Sequence, residues 1–439
     1  MGRSYMVEDA VEKYLSKLCI LGGATPVTGL LIGQSSAQRD FVVMATQTSQ
    51  RDETSTIADG SLDKLDLEWV TEHARQVSRM LPGGLSVLGV FIISDTDAKD
   101  ALNPLRQLVF AVEKVISREC LWTYADDDIT DRVTLHINSK TRKTACRTFD
   151  IKDPKSTAKP ADWKYQSGVC SSWPMVSCCV EVDIPLVLRE KRTSLEYMEK
   201  SLKEGVETWA QQIENGVFLI DGKRLPDDSE LTTGQRKNLK QTFRAQLLLT
   251  PPSQHEQQAP GLVQQYGGSV SVRGAVHTRA YLHSNKPKAS LPEKLLKRDM
   301  VSTVAVRVQM LMEELLSAQE ENSGISADKQ TADHLCLPRR VFCPVKGAGP
   351  IHVCDYQFDD EELSEVTDRL KEILDIEAEQ EDLDATQEMV GQSAETEEAA
   401  EPIAEPVLEP KRKNYTGTAV ATAVALLATA ASLLYLNDY

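Results

Sequence analysis

Apolar positions in the first half of the chain alternate between helical and strand spacing. Val7, Val11, Leu15 and Leu18 share one helical face, which predicts a helix over 7–18 that Gly22-Gly23 end. Val27–Gly33 and Phe41–Thr46 then read as strands, and 47–62 as a polar loop. A helix is predicted over 68–80, broken by Pro82-Gly83-Gly84, and Leu85–Ile93 follows as a strand with almost no polar residue. Such a run fits a strand covered on both faces. Leu102, Leu105, Val109, Val112 and Ile116 mark the buried stripe of a helix over 98–118. Strands are expected at 132–138 and 144–150, a polar segment at 151–171, a strand at 176–188 and a helix at 195–215, with 222–240 loop-like.

A second run of mixed elements follows. Phe243–Leu249, Ser269–Val276 and Thr278–Ser284 read as three strands, 291–317 as a long amphipathic helix and 318–332 as a polar loop. Arg340–Pro344 and Ile351–Tyr356 form a hairpin pattern, and Leu363, Val366, Leu370 and Ile373 line a helix over 360–374. The order of elements is that of a layered α+β protein. It divides the chain into a first portion over 1–190, a second α/β portion over 191–375, a segment over 376–413 and a terminal segment over 414–439.

Charge changes the picture at the C-terminal end. The 439 residues carry a formal net charge of −17. Residues 376–410 hold twelve of the acids and no Lys or Arg, with Pro402, Pro406 and Pro410 among them. That composition predicts a disordered, extended spacer. The rest is only mildly acidic, which argues against nucleic acid as a partner. Lys411, Arg412 and Lys413 then precede 21 uncharged residues, 416–436, in which Thr416, Val420, Val424, Leu427, Leu433 and Leu436 lie on the expected membrane anchor. As a helix this stretch spans about 31 Å, enough for a bilayer core. The basic flank keeps the N-terminal bulk cytosolic. An alanine-rich span suits a thin membrane such as that of the endoplasmic reticulum. No apolar signal-peptide core opens the chain, and Met6 stands where a myristoylation signal needs Ser or Thr.

Candidate chemistry is sparse. The nine cysteines are irregularly spaced and expected to be reduced in a cytosolic setting. Gly83-Gly84 lies between helix and strand, the wrong order for a phosphate loop. His334, Cys336, Cys343, His352 and Cys354 alternate along expected strands, so zinc ligation stays open against the plainer reading of buried thiols and incidental histidines. Seven scattered histidines and no Gly-x-Ser-x-Gly elbow give no linear nucleophile signature. No cofactor and no small-molecule substrate are expected.

Two resemblances add to this. Gly29–Gly33, a strand, a helix and Ser86–Ile93 resemble the MPN-type (JAMM-like) core, whose active members hold a metal through His-x-His, a downstream Asp and a Glu base. Val90, Phe91, Ile92 and Ile93 supply no such His, so the resemblance implies an inactive, MPN-like fold. Over nearly the whole chain, Val7–Val11, His73–Gly84, Asp162–Gly168 and Arg279–Ser284 resemble the odorant-response-abnormal protein four family. That resemblance implies a membrane-bound factor that helps a subset of G-protein-coupled receptors leave the endoplasmic reticulum, partnered with the cysteine protease specific for the ubiquitin-fold modifier. It supplies no catalytic residues. Leu88, Phe91, Trp163 and Tyr165 are the candidate partner-interface positions. The alternative is a direct cargo receptor acting through its membrane helix, with Gly417, Ala421 and Ala425 as the packing face.

Overall fold

The computed structural model describes residues 2–388 apart from 22–24, 38, 50–61, 63–64, 123–124, 126, 189–194, 232–241, 250–267, 284–286 and 322–333. The expected anchor positions Thr416 to Leu436 and the basic flank Lys411–Lys413 lie outside the described residues, as does most of the acidic stretch. Among the described residues no helix is long and apolar enough to cross a membrane.

The first 166 residues run β1 (Ser4–Glu8), α1 (Asp9–Leu21), β2 (Val27–Ser35), β3 (Asp40–Gln47), α2 (Leu67–Arg79), β4 (Ser86–Ser94), α3 (Leu102–Glu119), β5 (Asp131–Asn138), β6 (Thr144–Asp150), β7 (Lys159–Pro160) and β8 (Asp162–Gln166). The strands form one sheet in the order β7-β6-β5-β4-β2-β3-β1-β8. β7 and β8 stand at opposite edges of that order, yet only Ala161 separates them in the chain. The sheet must therefore curl until one segment meets both of its edges. β7 pairs antiparallel with β6 at Arg147 and Thr148, and β8 pairs parallel with β1 from Ser4 to Glu8. Ala161 N–H donates to Cys146 O at 3.2 Å, and the hydroxyls of Tyr5 and Thr148 lie 3.2 Å apart across the closure. Curling hides strand edges that would otherwise invite foreign pairing.

Helix α1 packs on one face of this sheet, with Val11, Leu15 and Leu18 against Tyr5, Val7, Leu31, Val42, Leu88 and Phe91. Helices α2 and α3 cover the other face over Leu30, Ile32, Val90 and Ile92. The side chain of Asp66 caps α2 by accepting from Trp69 N at 3.0 Å, and Val70, Ala74 and Val77 form its buried stripe.

The second sheet takes β9 (Met175–Leu188), then α4 (Leu195–Asn215), β10 (Val217–Ile220), β11 (Thr242–Leu248), β12 (Gly268–Tyr281), α5 (Ser290–Glu321) and β13 (His334–Cys336). Its order is β10-β11-β9-β12-β13. On β9, Val182, Ile184 and Leu186 are buried beneath α4 and α5 while Glu181, Asp183 and Pro185 are exposed. A hairpin of β14 (Arg339–Pro344) and β15 (His352–Gln357) and helix α6 (Leu363–Leu374) complete the body.

Several expectations are corrected. The two strands expected at 269–284 are one, β12, whose pairing with β9 runs unbroken from Gly268 to Tyr281 with His277 opposite Cys179. The boundary expected at residue 190 falls earlier, because β9 already belongs to the second sheet. Residues 339–374, expected in the second portion, return to the first core, where Val341, Val353, Val366 and Leu370 join Leu30, Val70 and Ala74. Apolar content says that a strand is buried but not which sheet buries it. The spacer expected from 376 does not hold for residues 376–388. Ile376, Ala378, Leu383 and Ala385 pack on the first core, and Glu388 is 5% exposed. Arg279 and Arg307, from distant elements, neutralise Asp384 and Glu388, while Glu377, Glu379 and Glu381 stay exposed.

Candidate functional site

The runs that carry the family resemblance meet in pairs. The first pair is 7–11 with 162–168. Parallel pairing sets Tyr5 opposite Trp163 and Val7 opposite Tyr165. The buried carboxylate of Glu8 then accepts from Gly168 N at 2.7 Å and from Cys170 N at 3.3 Å. Ser167 Oγ donates to Asp9. Gly168 has φ +66°, a left-handed turn that favours glycine. Glu8 thus ties the end of β1 to the turn after β8. Burial, and then the neighbouring Glu8 charge, push the Cys170 thiol well above its ordinary value, so it is no nucleophile near neutral pH.

The second pair is 73–84 with 279–284. Tyr281 N donates to Gly83 O at 2.9 Å. Gln34, 4% exposed, completes the junction: Nε2 donates to Gly84 O at 2.8 Å and to Tyr281 O at 2.7 Å, and Oε1 accepts from His283 N at 2.6 Å. Gly84 has φ +86°, and a Cβ there would stand 2.2 Å from Tyr281 O. This turn joins the two sheets and admits no side chain. Tyr281 reaches on to the hairpin, its hydroxyl accepting from His352 N at 3.1 Å. Sequence reasoning missed Gln34, since a polar residue at the end of an apolar strand carries no signal of partners some 250 positions away.

Beside this junction lies a groove of about 1070 Å³. Leu85, Val87, Leu202, Val206, Leu295 and Val306 are among the apolar residues that line it. Its rim charges answer one another. Arg132 meets Glu113 at 2.9 Å, and Arg298 and Lys294 meet Asp128 at 2.7 and 3.0 Å. Burial alone would raise the Asp128 carboxyl, but hydrogen bonds from Arg298 and Lys294 outweigh it and hold the group at about 2. An apolar lining with a charge-balanced rim suits a protein segment better than an anion.

The expected interface residues divide. Leu88 is 2% exposed and Phe91 is fully buried, both beneath α1, so neither faces a partner. This corrects the expectation: an apolar strand in the middle of a sheet covered on both faces has no surface to offer. Trp163 and Tyr165 stay half-buried on β8, with Trp163 6.1 Å from the Tyr5 ring and edge-on to Tyr165 at 6.2 Å.

The candidate metal residues are dispersed. His334 and Cys336 lie on β13 in the second sheet, and Cys343, His352 and Cys354 on the separate hairpin. Cys343 pairs with Val353 and Cys354 with Phe342, on successive and therefore opposite faces. Among the described residues no three such side chains come together to hold a metal ion. Burial pushes the thiols of Cys120 and Cys343 up to about 11, and those of Cys146 and Cys178 to about 12. Ser94 Oγ lies 3.1 Å from His136 Nε2, a nucleophile–base distance. Both residues are under 5% exposed, and His136 Nδ1 has no hydrogen-bond partner where a triad would place a carboxylate.

Comparison with known proteins places this arrangement. The family model described as odorant response abnormal 4-like matches residues 29–385. The human protein odr-4 homolog is 44% identical and the mouse one 42% identical, each over the full length of both chains. Odorant response abnormal protein 4 of Caenorhabditis elegans is 22% identical, covering 77% of this chain and 70% of its own. Among solved structures, UfSP from C. elegans aligns with a TM-score of 0.43 and 9% identity over 85% of this chain and 57% of that chain. That likeness is too weak to bear on fold or function. The chain belongs to the odorant response abnormal 4-like (ODR4-like) family.

Proposed function

We propose that the protein is a non-catalytic adaptor of the endoplasmic reticulum membrane that supports the folding or trafficking of a subset of G-protein-coupled receptors. In this reading its folded body is a cytosolic scaffold that recruits the ubiquitin-fold-modifier-specific cysteine protease. The first sheet is an MPN-like core that keeps the fold without the metal chemistry. The uncharged run 416–436 behind Lys411–Lys413 fixes the location. A tether of this kind acts by raising local concentration, with no new chemistry needed.

One observation carries the reading. The runs that mark the family, where described, supply structural junctions: Glu8 to Gly168 and Cys170, and Gln34 to Gly84, Tyr281 and His283. The first junction fastens the edge of the first sheet and the second fastens that sheet to the second one, and a body fixed in this way presents a set surface to a partner. The names of the relatives, which refer to odorant response, support the receptor link.

Exchange of 416–436 for an unrelated apolar span separates this reading from direct cargo capture. An adaptor keeps receptor export with the foreign span. Export lost with the protein still on the same membrane assigns recognition to the helix instead.

A further inference from the structure

The acidic stretch opens with a plug. Glu388 is 5% exposed, and the side chain of its partner Arg307 is fully buried. Arg307 donates to both carboxylate oxygens, at 2.8 and 2.9 Å. Backbone N–H groups add two more bonds, from His277 at 2.7 Å and from Arg340 at 2.8 Å. Four donors on one carboxylate leave little of its acceptor capacity unused. Four residues earlier, Asp384 exchanges both backbone hydrogen bonds with Phe342, at 3.0 and 2.9 Å, and accepts from Arg279 Nη2 at 2.8 Å. The Arg340 guanidinium is turned elsewhere, held by Asp299 at 2.8 and 2.9 Å.

These contacts cross a boundary. His277 and Arg279 stand on β12 of the second sheet, while Arg340 and Phe342 stand on β14 of the hairpin that packs with the first core. The backbone N–H groups of His277 and Arg340 meet on one carboxylate that belongs to neither strand. The seam between the sheets is thus a receptor for an Asp-x-x-x-Glu segment, and the chain fills it with its own.

We propose that residues 384–388 form a releasable strap: a short acidic segment that locks the second sheet to the hairpin when docked and frees the seam when it leaves. Five residues form a small opening unit, separable from global unfolding. Arg307 is buried and needs a carboxylate partner, so the open state favours an acidic peptide of the same pattern supplied in trans.

The test is hydrogen exchange on the full-length chain, comparing Asp384→Ala/Glu388→Ala with the exposed-site control Glu381→Ala. The strap predicts at least tenfold faster exchange at the amides of His277, Arg340 and Phe342 in the double variant, unchanged exchange in β1 and β3, and wild-type behaviour in the control. A synthetic peptide of residues 380–391 in excess restores protection, and the same peptide with alanine at 384 and 388 does not. Unchanged exchange, protection lost evenly through both sheets, or a peptide that restores nothing each overturns the proposal. Should the double variant not fold, Glu388→Gln alone is read by the same exchange criterion and by restoration with the same peptide.

Discussion

Gln34 and Tyr281 are 247 residues apart in the chain and 2.7 Å apart in the structure, amide nitrogen to backbone carbonyl. Because Gln34 also serves Gly84 O and His283 N, its loss strands three backbone groups at the junction. Gln34→Leu is similar in size but offers no hydrogen bonds. It is expected to cost about 2–4 kcal/mol, the penalty of buried groups left unpaired. Chemical denaturation of a chain ending at residue 413 measures this, and a change under 1 kcal/mol contradicts the role given to Gln34 at the junction.

Leu88 and Phe91 are core residues. Phe91→Ala is expected to destabilise by about 3–5 kcal/mol and Leu88→Ala by about 2–5 kcal/mol. Neither lies on a surface, so a variant that still folds keeps its partner binding. Selective loss of a partner at unchanged stability returns these positions to an interface.

His277 sets a pH dependence. Burial, with Arg279 and Arg340 adding repulsion, lowers it to about 4 from an ordinary 6.5. Below the unfolded value the unfolded chain takes a proton that the folded one refuses, so stability is full above about 6.5 and falls as the pH drops towards 4. The loss is on the order of 3 kcal/mol at most. Thermal melts between pH 7.5 and 4.5 check it. His277→Gln flattens the slope, and a slope unchanged in that variant assigns the dependence to other groups.

The anchor is tested by truncation. A chain ending at residue 413 keeps the whole described body and is expected in the cytosolic fraction after cell lysis. Retention on membranes contradicts a single anchor at 416–436.

Periodicity located most of the regular elements. The helix at 195–215 and the strand at 144–150 are found with the expected ends. Local signals failed where the partner was distant. β8 reads Asp-Trp-Lys-Tyr-Gln, and its outward polar side chains masked a strand that meets β1 across some 158 residues. β1 is five residues long, and its last two, Val7 and Glu8, fall within the helix expected over 7–18. Asp384 and Glu388 looked like solvated spacer because the arginines that neutralise them come from β12 and α5. The site was legible as family runs but not as geometry: nothing in the sequence announces that Glu8 accepts from distant backbone N–H groups or that Gln34 bonds both distant carbonyls and a distant N–H. Leu88 and Phe91 were drawn into the interface by their apolar character, which marks burial equally well.

The most direct measurement is affinity capture of the full-length protein and of a chain ending at residue 413, with bound proteins identified by mass spectrometry. A scaffold predicts the ubiquitin-fold-modifier-specific protease with both forms, because the folded body does the binding and the C-terminal segment only sets location. Capture of receptors and trafficking proteins alone, and only with residues 414–439 present, contradicts the account and makes the terminal segment the recognition element.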